Sequence, residues 1–209
     1  MNAVIISVAI LSFLLFLYLL KQSKKPTGLV GIWMMKIWNQ VYFPMVEWAI
    51  SQLEQQNIKN ILDVGIGNGQ STLYLKQYFP NSKVIGIDIS KTAITQAKKW
   101  NIADLDFELK DVGQTTYSAE SFDLITAFQT HFHWPDLSRA FFELRRILRR
   151  DGLILLACEW SKLTYFQPEL KKEEEFAAFL NNKGLKLVSS QRKNQWILYK
   201  IVKKPEGVI

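Results

Sequence analysis

Residues 61–70 read ILDVGIGNGQ: an apolar run, then glycine at every second position, Gly65, Gly67 and Gly69, with Asp63 two places before the first. A short apolar run bounded by glycine is a buried strand. Three side chains given up within five residues fit a turn whose backbone is approached closely by something else. Outward from this point the chain alternates. QSTLYLKQYF reads as a helix, KVIGIDIS as a second strand, KTAITQAKKW as a second helix, LDFELKD as a third strand and FDLITAF as a fourth, apolar on both faces. Residues 135–150 form a helix with Leu137, Phe141, Leu144 and Leu148 on one side, and GLILLAC is a fifth strand. Residues 171–182 are a polar helix ended by Gly184, and LKLVSSQ and QWILYKIVK pair as a terminal hairpin with RKN at the turn. The expected fold is α/β: a doubly wound, mostly parallel, seven-stranded sheet with an antiparallel C-terminal edge hairpin.

In such a sheet ligands sit at the carboxyl ends of the strands, and an acid ending the second strand, about 20 residues past the glycines, accepts ribose hydroxyls. Asp88 in VIGIDIS occupies that place. The glycine spacing differs from G-x-G-x-x-G, because the third glycine comes one residue early and position 70 is Gln; a phosphate loop of the G-x-x-x-x-G-K-[ST] type is missing too. A carboxylate at Asp63, beside the loop, suits a cation better than a pyrophosphate.

LDVGIGNGQST resembles the first motif of class I S-adenosylmethionine-dependent methyltransferases, acid-x-Gly-x-Gly-x-Gly. GIDIS looks like that family's ribose-binding strand end, and LKDV resembles the acidic position after strand three. FDLITAFQTHFHWPDLSRAFFELRRILRRDGLILLA is similar to the strand-four to strand-five region of its small-molecule and lipid methyltransferases, so the likeness covers residues 58–160. One departure is Arg149, Arg150, Asp151 and Gly152 where the family has Lys-Pro-Gly-Gly, although Asp-Gly still turns readily. The resemblance implies a Rossmann-like methyltransferase fold and S-adenosyl-L-methionine as cofactor. It implies Gly65, Gly67 and Gly69 under the methionine and ribose, Asp63 near the methionine ammonium, and Asp88 on both ribose hydroxyls. It further implies Ile89 and Val112 against adenine, Asp111 on its amino group, and Phe128 and Gln129 as the floor by the sulfonium. The two histidines, His131 and His133, follow strand four, face the expected active site and are candidate general bases or pocket walls. Trp134, Trp160, Tyr165 and Phe166 are candidates for substrate lining or core.

Residues 3–20 carry no charge, and as a helix they reach about 27 Å, enough for a hydrocarbon core. Lys21, Lys24 and Lys25 follow the apolar run rather than precede it, and no A-x-A site appears, which favours an uncleaved anchor over a signal peptide. Positive charge stays inside, so the reading is a single-pass membrane protein with its N-terminus outside and its catalytic domain cytoplasmic. The division is residues 1–20 as transmembrane anchor, 21–57 as basic linker (KQSKKPTG) and aromatic helices, and 58–209 as methyltransferase domain. Trp33, Ile37 and Val41 repeat every four residues, Met34 and Trp38 widen that surface, and Pro44 is expected to kink or split the helix. Trp33, Trp38, Tyr42 and Trp48 suit a membrane interface or the domain's pocket equally. The single cysteine, Cys158, excludes an internal disulfide and a Cys-cluster metal site, and its apolar surroundings make it a core residue.

The net charge of +7 suits anionic lipid headgroups. Nucleic acid is disfavoured as a partner: no Asn/Asp-Pro-Pro-aromatic motif follows strand four. The activity expected is O- or N-methyl transfer to a lipophilic small molecule or lipid at the membrane face. The alternatives are an RNA or protein methyltransferase, and a noncatalytic membrane-tethered scaffold keeping the fold.

Overall fold

The computed structural model describes residues 2–53 and 57–205. Its centre is a seven-stranded sheet of order β3-β2-β1-β4-β5-β7-β6, built from β1 (Asn60–Val64), β2 (Lys83–Asp88), β3 (Leu105–Leu109), β4 (Phe122–Phe128), β5 (Leu148–Glu159), β6 (Leu185–Lys193) and β7 (Trp196–Lys203). The first five strands run parallel, and β7 is antiparallel to both β5 and β6. Chain order reverses direction between β1 and β4, so the ends of these two strands flank the crevice where doubly wound sheets bind ligands.

Both sheet faces are covered. On one, α5 (Leu137–Ile147) and α7 (Glu173–Asn181) bring Phe141, Leu144, Phe176 and Leu180 onto β4, β5 and β7, and Cys158 is buried there as expected. On the other, α2 (Gly28–Ser51), α3 (Gln70–Tyr78) and α4 (Lys91–Ala97) bring Met45, Ile50, Leu75 and Ala97 onto β1 and β2. A short helix, α6 (Trp160–Phe166), leaves the end of β5.

Four expectations change. Pro44 does not split its helix, which continues to Ser51. The backbone bond that Pro44 cannot donate would have gone to Gln40, and both residues lie on the exposed side, where water can satisfy the freed carbonyl. The helix expected over 135–150 ends at Ile147, because Leu148 is already extended and buried as the first residue of β5. Residues 149–152, expected as a turn, belong to β5, where pairing jumps from Phe122↔Leu148 to Leu124↔Leu153.

The fourth change concerns the linker. The first helix, α1 (Asn2–Lys24), runs through half of the segment read as polar linker, leaving only residues 25–27 between α1 and α2. Gln22 explains this. It is 4% exposed, and its side-chain oxygen accepts the Thr27 N–H at 2.8 Å. Its amide nitrogen donates to Tyr18 Oη at 3.0 Å and Thr27 Oγ1 at 2.8 Å. One buried amide thereby closes the connection that a sequence of lysines and a proline suggests is loose. Gly31 lets Pro26 pack against the start of α2, since a Cβ there would stand 2.8 Å from the Pro26 carbonyl carbon. The Pro26 carbonyl in turn accepts a hydrogen bond from the Ser90 hydroxyl, which also caps α4.

Adjacent residues of α5 give a test of the core. Phe141 is fully buried and Phe142 is half exposed under Lys183. We expect Phe141→Ala to cost about 3–5 kcal/mol of unfolding free energy and Phe142→Ala under about 1 kcal/mol, read from urea midpoints at unchanged slope.

Candidate active site

The glycine turn is shaped by what surrounds it. Gly65 has φ +75°, and a Cβ on it would lie 2.1 Å from Thr130 Oγ1, so the loop after β4 presses directly on this backbone. Its N–H donates to the Ile87 carbonyl at 2.8 Å, prolonging the pairing of β1 with β2. Gly67, at φ +55°, would carry a Cβ in no more than ordinary contact, with Met35 of α2 the nearest neighbour at 3.7 Å. Gly69 precedes α3, and a Cβ there would strike Ala97 and Phe107 at 2.8 and 2.9 Å. Gly65 and Gly69 thus serve close packing, and Gly67 faces a cavity.

That cavity measures about 700 Å³. Gly65, Gly67, Ser71, Asp88, Phe128 and Gln129 form one end of it. Asp88 ends β2 and accepts the Gly67 N–H on Oδ2 at 3.0 Å and the Ser90 N–H on Oδ1 at 2.8 Å. Burial pushes its carboxyl pKa up, against the pull of these N–H groups and of Lys25. Each carboxylate oxygen keeps a lone pair, so ribose hydroxyls can be accepted there.

The other predicted cofactor residues divide. Asp63 is 1% exposed and lies outside the cavity wall, accepting from Ser71 Oγ at 2.7 Å, Thr72 Oγ1 at 2.9 Å and Thr126 Oγ1 at 2.7 Å. Burial raises its pKa to about 6, with these hydroxyls opposing. An unpaired buried carboxylate would cost several kcal/mol, and here it instead fastens the first turn of α3 to β1 and β4. Of its partners, Ser71 reaches the cavity. Ile89 is exposed beside Asp88, and the Lys110 N–H bonds the Asp88 carbonyl at 3.1 Å, which brings the next loop alongside. On that loop Val112 is buried, while Asp111 is exposed and accepts the Gly113 N–H at 2.8 Å. Ile89 and Asp111 lie on the surface beyond Asp88 and Val112 in the core beneath, and none of the three borders the cavity.

The two histidines, both expected to face the active site, part company. His131 is fully buried, with Nε2 4.0 Å from Cys158 Sγ and its ring against Trp134, and it does not border the cavity. His133 does border it, edge-on to Phe166. The pKa of His131 is driven down to about 4 by burial and then by His133. That of His133 is driven down to about 4 by burial, then by the ammonium groups of Lys24 and Lys162. Both rings are neutral at physiological pH.

A polar cluster that the sequence did not disclose stands beside Gln129. Tyr42 Oη donates to Glu159 Oε2 at 3.1 Å and accepts from Lys162 Nζ at 2.6 Å. Gln129 accepts the Glu159 N–H at 2.8 Å through Oε1, and its own φ is +58°. Tyr42 and Lys162 both line the cavity, whose remaining wall is largely apolar: Met34, Met35, Trp38, Phe132 and Phe166. Glu159 ends β5, so an acid at a strand end was a readable signal. Tyr42 lies over a hundred residues from its partners in sequence, and no spacing rule connects them.

His131 gives a pH test. Its ring gains a proton below pH 6.5 in the unfolded chain but only near pH 4 in the folded one, so the unfolded state binds more protons and stability falls as pH drops through that window. Asp63 acts oppositely, since its folded pKa is raised and its contribution fades as pH rises from 3.8 to about 6. Between pH 7 and pH 5 the His131 part amounts to about 2 kcal/mol. We expect His131→Asn to lose correspondingly less stability on that acidification, measured by urea unfolding of the chain at both pH values.

Comparison with known proteins agrees with this geometry. Residues 62–156 match the Methyltransferase domain family. The chain is 27% identical over 125 residues to an uncharacterized methyltransferase, YcgJ, of Bacillus subtilis, covering 58% of this chain and 46% of that protein. It is 29% identical over 132 residues to the phosphoethanolamine N-methyltransferase of Triticum aestivum, covering 62% of this chain and 25% of that protein. The chain thus spans half or less of the length of these relatives. A chain in the solved complex between the Haloferax volcanii Trm112 methyltransferase activator and a methyltransferase shares the fold, with a TM-score of 0.73 and 13% identity over 86% of this chain and 97% of that one. Residues 62–156, with their glycine turn and the acid that ends β2, thus match a methyltransferase domain and share the fold of solved methyltransferases, and these likenesses support S-adenosyl-L-methionine as the cofactor.

Proposed function

We propose that this chain transfers a methyl group to an oxygen or nitrogen of a lipophilic small molecule or lipid, at the cytoplasmic face of a membrane spanned by α1. One observation carries the reading: a single apolar cavity joins Gly65, Gly67 and Asp88 to Phe16, Leu19 and Leu20 in the last turns of α1. Residues Val4–Lys24 are long and apolar enough to cross a bilayer, and their surface is exposed. A water-soluble acceptor would have no use for this wall. The phosphoethanolamine in the wheat relative's name is such a polar acceptor, so the apolar wall, and not that relative, favours a lipophilic one.

The residues fit the cofactor. The missing Cβ of Gly67 leaves room against the turn, and the two free lone pairs of Asp88 suit the ribose hydroxyls. Ile89 and Val112 would flank adenine and Asp111 its amino group, with Gly65 and Gly69 keeping the turn tight. Ser71 donates to Asp63 and so turns its own lone pairs outward, letting Asp63 act on the methionine ammonium through that hydroxyl. When bound, S-adenosyl-L-methionine supplies a methyl on a sulfonium, open to in-line attack by a nucleophile. Phe128 and Gln129 form the floor beside that position. The chain's part is positioning, which can supply most of the acceleration. Tyr42, Glu159 and Lys162 hold the polar end of the acceptor, while Trp38, Phe132 and Phe166 shed water from the rest. His133 borders the cavity and, neutral at working pH, can accept a hydrogen bond from an acceptor's O–H or N–H, although burial and the lysines make it a weak base.

Two measurements test this on the full chain in detergent micelles. We expect S-adenosylhomocysteine to bind calorimetrically and Asp88→Ala to weaken it roughly tenfold to a hundredfold, as befits lost hydrogen bonds to a charged group. Absence of binding by the folded chain defeats the enzyme reading. With methyl-labelled cofactor and vesicles of a total lipid extract, label is expected in the organic phase, and Tyr42→Phe slows its transfer while leaving S-adenosylhomocysteine affinity unchanged. Label confined to the aqueous phase defeats the lipophilic acceptor.

A further inference from the structure

The two faces of α2 are occupied very differently. Its inner side packs on the sheet through Met45, Val46, Ala49 and Ile50. The next row, Met34, Trp38 and Tyr42, lines the cavity. Beyond that row comes an apolar stripe left largely open: Leu29 is 85% exposed, Trp33 63% and Val41 51%, with Val30 and Ile37, more covered, between them. Residues four apart share a helix face, so Leu29, Trp33, Ile37 and Val41 form one strip along α2. Lys36 and Gln40, both exposed, bound it on the side away from the cavity. In water, this strip would be an unexplained apolar patch.

Its position relative to α1 identifies what covers it. Gln22, Thr27, Gly31 and Pro26 lock the two helices at their junction, and Ser90 fastens that junction to the loop holding Asp88. The domain cannot swing on a loose tether. The cavity wall includes Phe16, which lies about 7.5 Å up the helix from Lys21, toward the apolar end. With the lysines at headgroup level, that part of the wall is at acyl-chain depth. Lys21, Lys24, Lys25 and Lys36 supply the charge that an anionic leaflet attracts.

Building on the membrane reading above, we propose that α2 is a second membrane element, lying in the plane of the leaflet that α1 leaves. Its strip Leu29, Trp33, Ile37 and Val41 sits against lipid, and the cavity row Met34, Trp38 and Tyr42 sits at its edge. The acceptor passes sideways from the bilayer over that edge and reaches Gly67 and Asp88 without crossing water. α2 is thus both the cover of the active site and its lipid-facing sill.

The test places an environment-sensitive fluorophore on single introduced cysteines, Cys158 being buried, in the full chain reconstituted into phosphatidylcholine vesicles carrying a minority of phosphatidylglycerol. The positions are Ile37→Cys and Val41→Cys on the strip, Leu14→Cys on α1, and Glu174→Cys on exposed α7. S-adenosylhomocysteine binding certifies each variant as folded. We expect lipid-borne nitroxides to quench the probes at 37 and 41 at a depth of roughly 5–10 Å, quench the probe at 14 more deeply, and spare the one at 174. Probes at 37 and 41 that answer only to aqueous quencher, while 14 answers to lipid, overturn the in-plane helix and leave the anchor standing. Probes at 37 and 41 shielded from both quenchers mean that protein, such as a second copy, covers the strip, and this also overturns it. A probe at 14 reached only from water removes the membrane reading itself.

Discussion

The Asp88 carboxylate is the contact on which the site depends. It gathers the Gly67 N–H from the turn after β1 and the Ser90 N–H from the start of α4, so two loops that come from different strands are tied at one anion. Charge-assisted bonds of this kind are stronger than neutral ones, and burial strengthens them further while raising the cost of losing either donor. Because the same loop's Ser90 hydroxyl reaches Pro26, the knot extends to the connection between α1 and α2. The geometry of the glycine turn and the direction in which an apolar helix leaves the domain are thereby parts of one structure.

A second constraint is the treatment of polar groups around an apolar cavity. Asp63 is buried and satisfied by three hydroxyls, Gln22 is buried and satisfied by Tyr18 and Thr27, and Glu159 meets Tyr42 and Gln129. Each pays for its burial by joining elements that would otherwise only touch. Tyr42 and Lys162 differ in that they also border the cavity, leaving a polar spot on a wall of methionine and aromatic rings.

Legibility followed range. The strand–helix alternation, the antiparallel edge and the acid at the end of β2 were plain because each depends on residues near one another in the chain. Errors came where a distant partner decided. Residues 149–152 belong to β5 because its pairing with β4 makes room for them. Pro44 is tolerated because its missing bond falls on an exposed side. His131 and His133 are separated by one residue, and a short 3-10 turn sends the first into the core beside Cys158 and leaves the second at the cavity.

By itself the sequence determined the class of fold, the glycine turn at Gly65–Gly67–Gly69 with Asp88 at the next strand end, and an apolar segment followed by lysines, since periodicity, glycine spacing and charge are local properties of the chain. Only the tertiary structure decided that Asp63 acts behind Ser71, that Tyr42 joins Glu159 and Lys162, and that α2 divides its aromatic residues between a cavity and an exposed strip. Those outcomes turn on which side chains meet across the folded sheet, and burial and hydrogen bonding between residues far apart in the chain are absent from any local pattern.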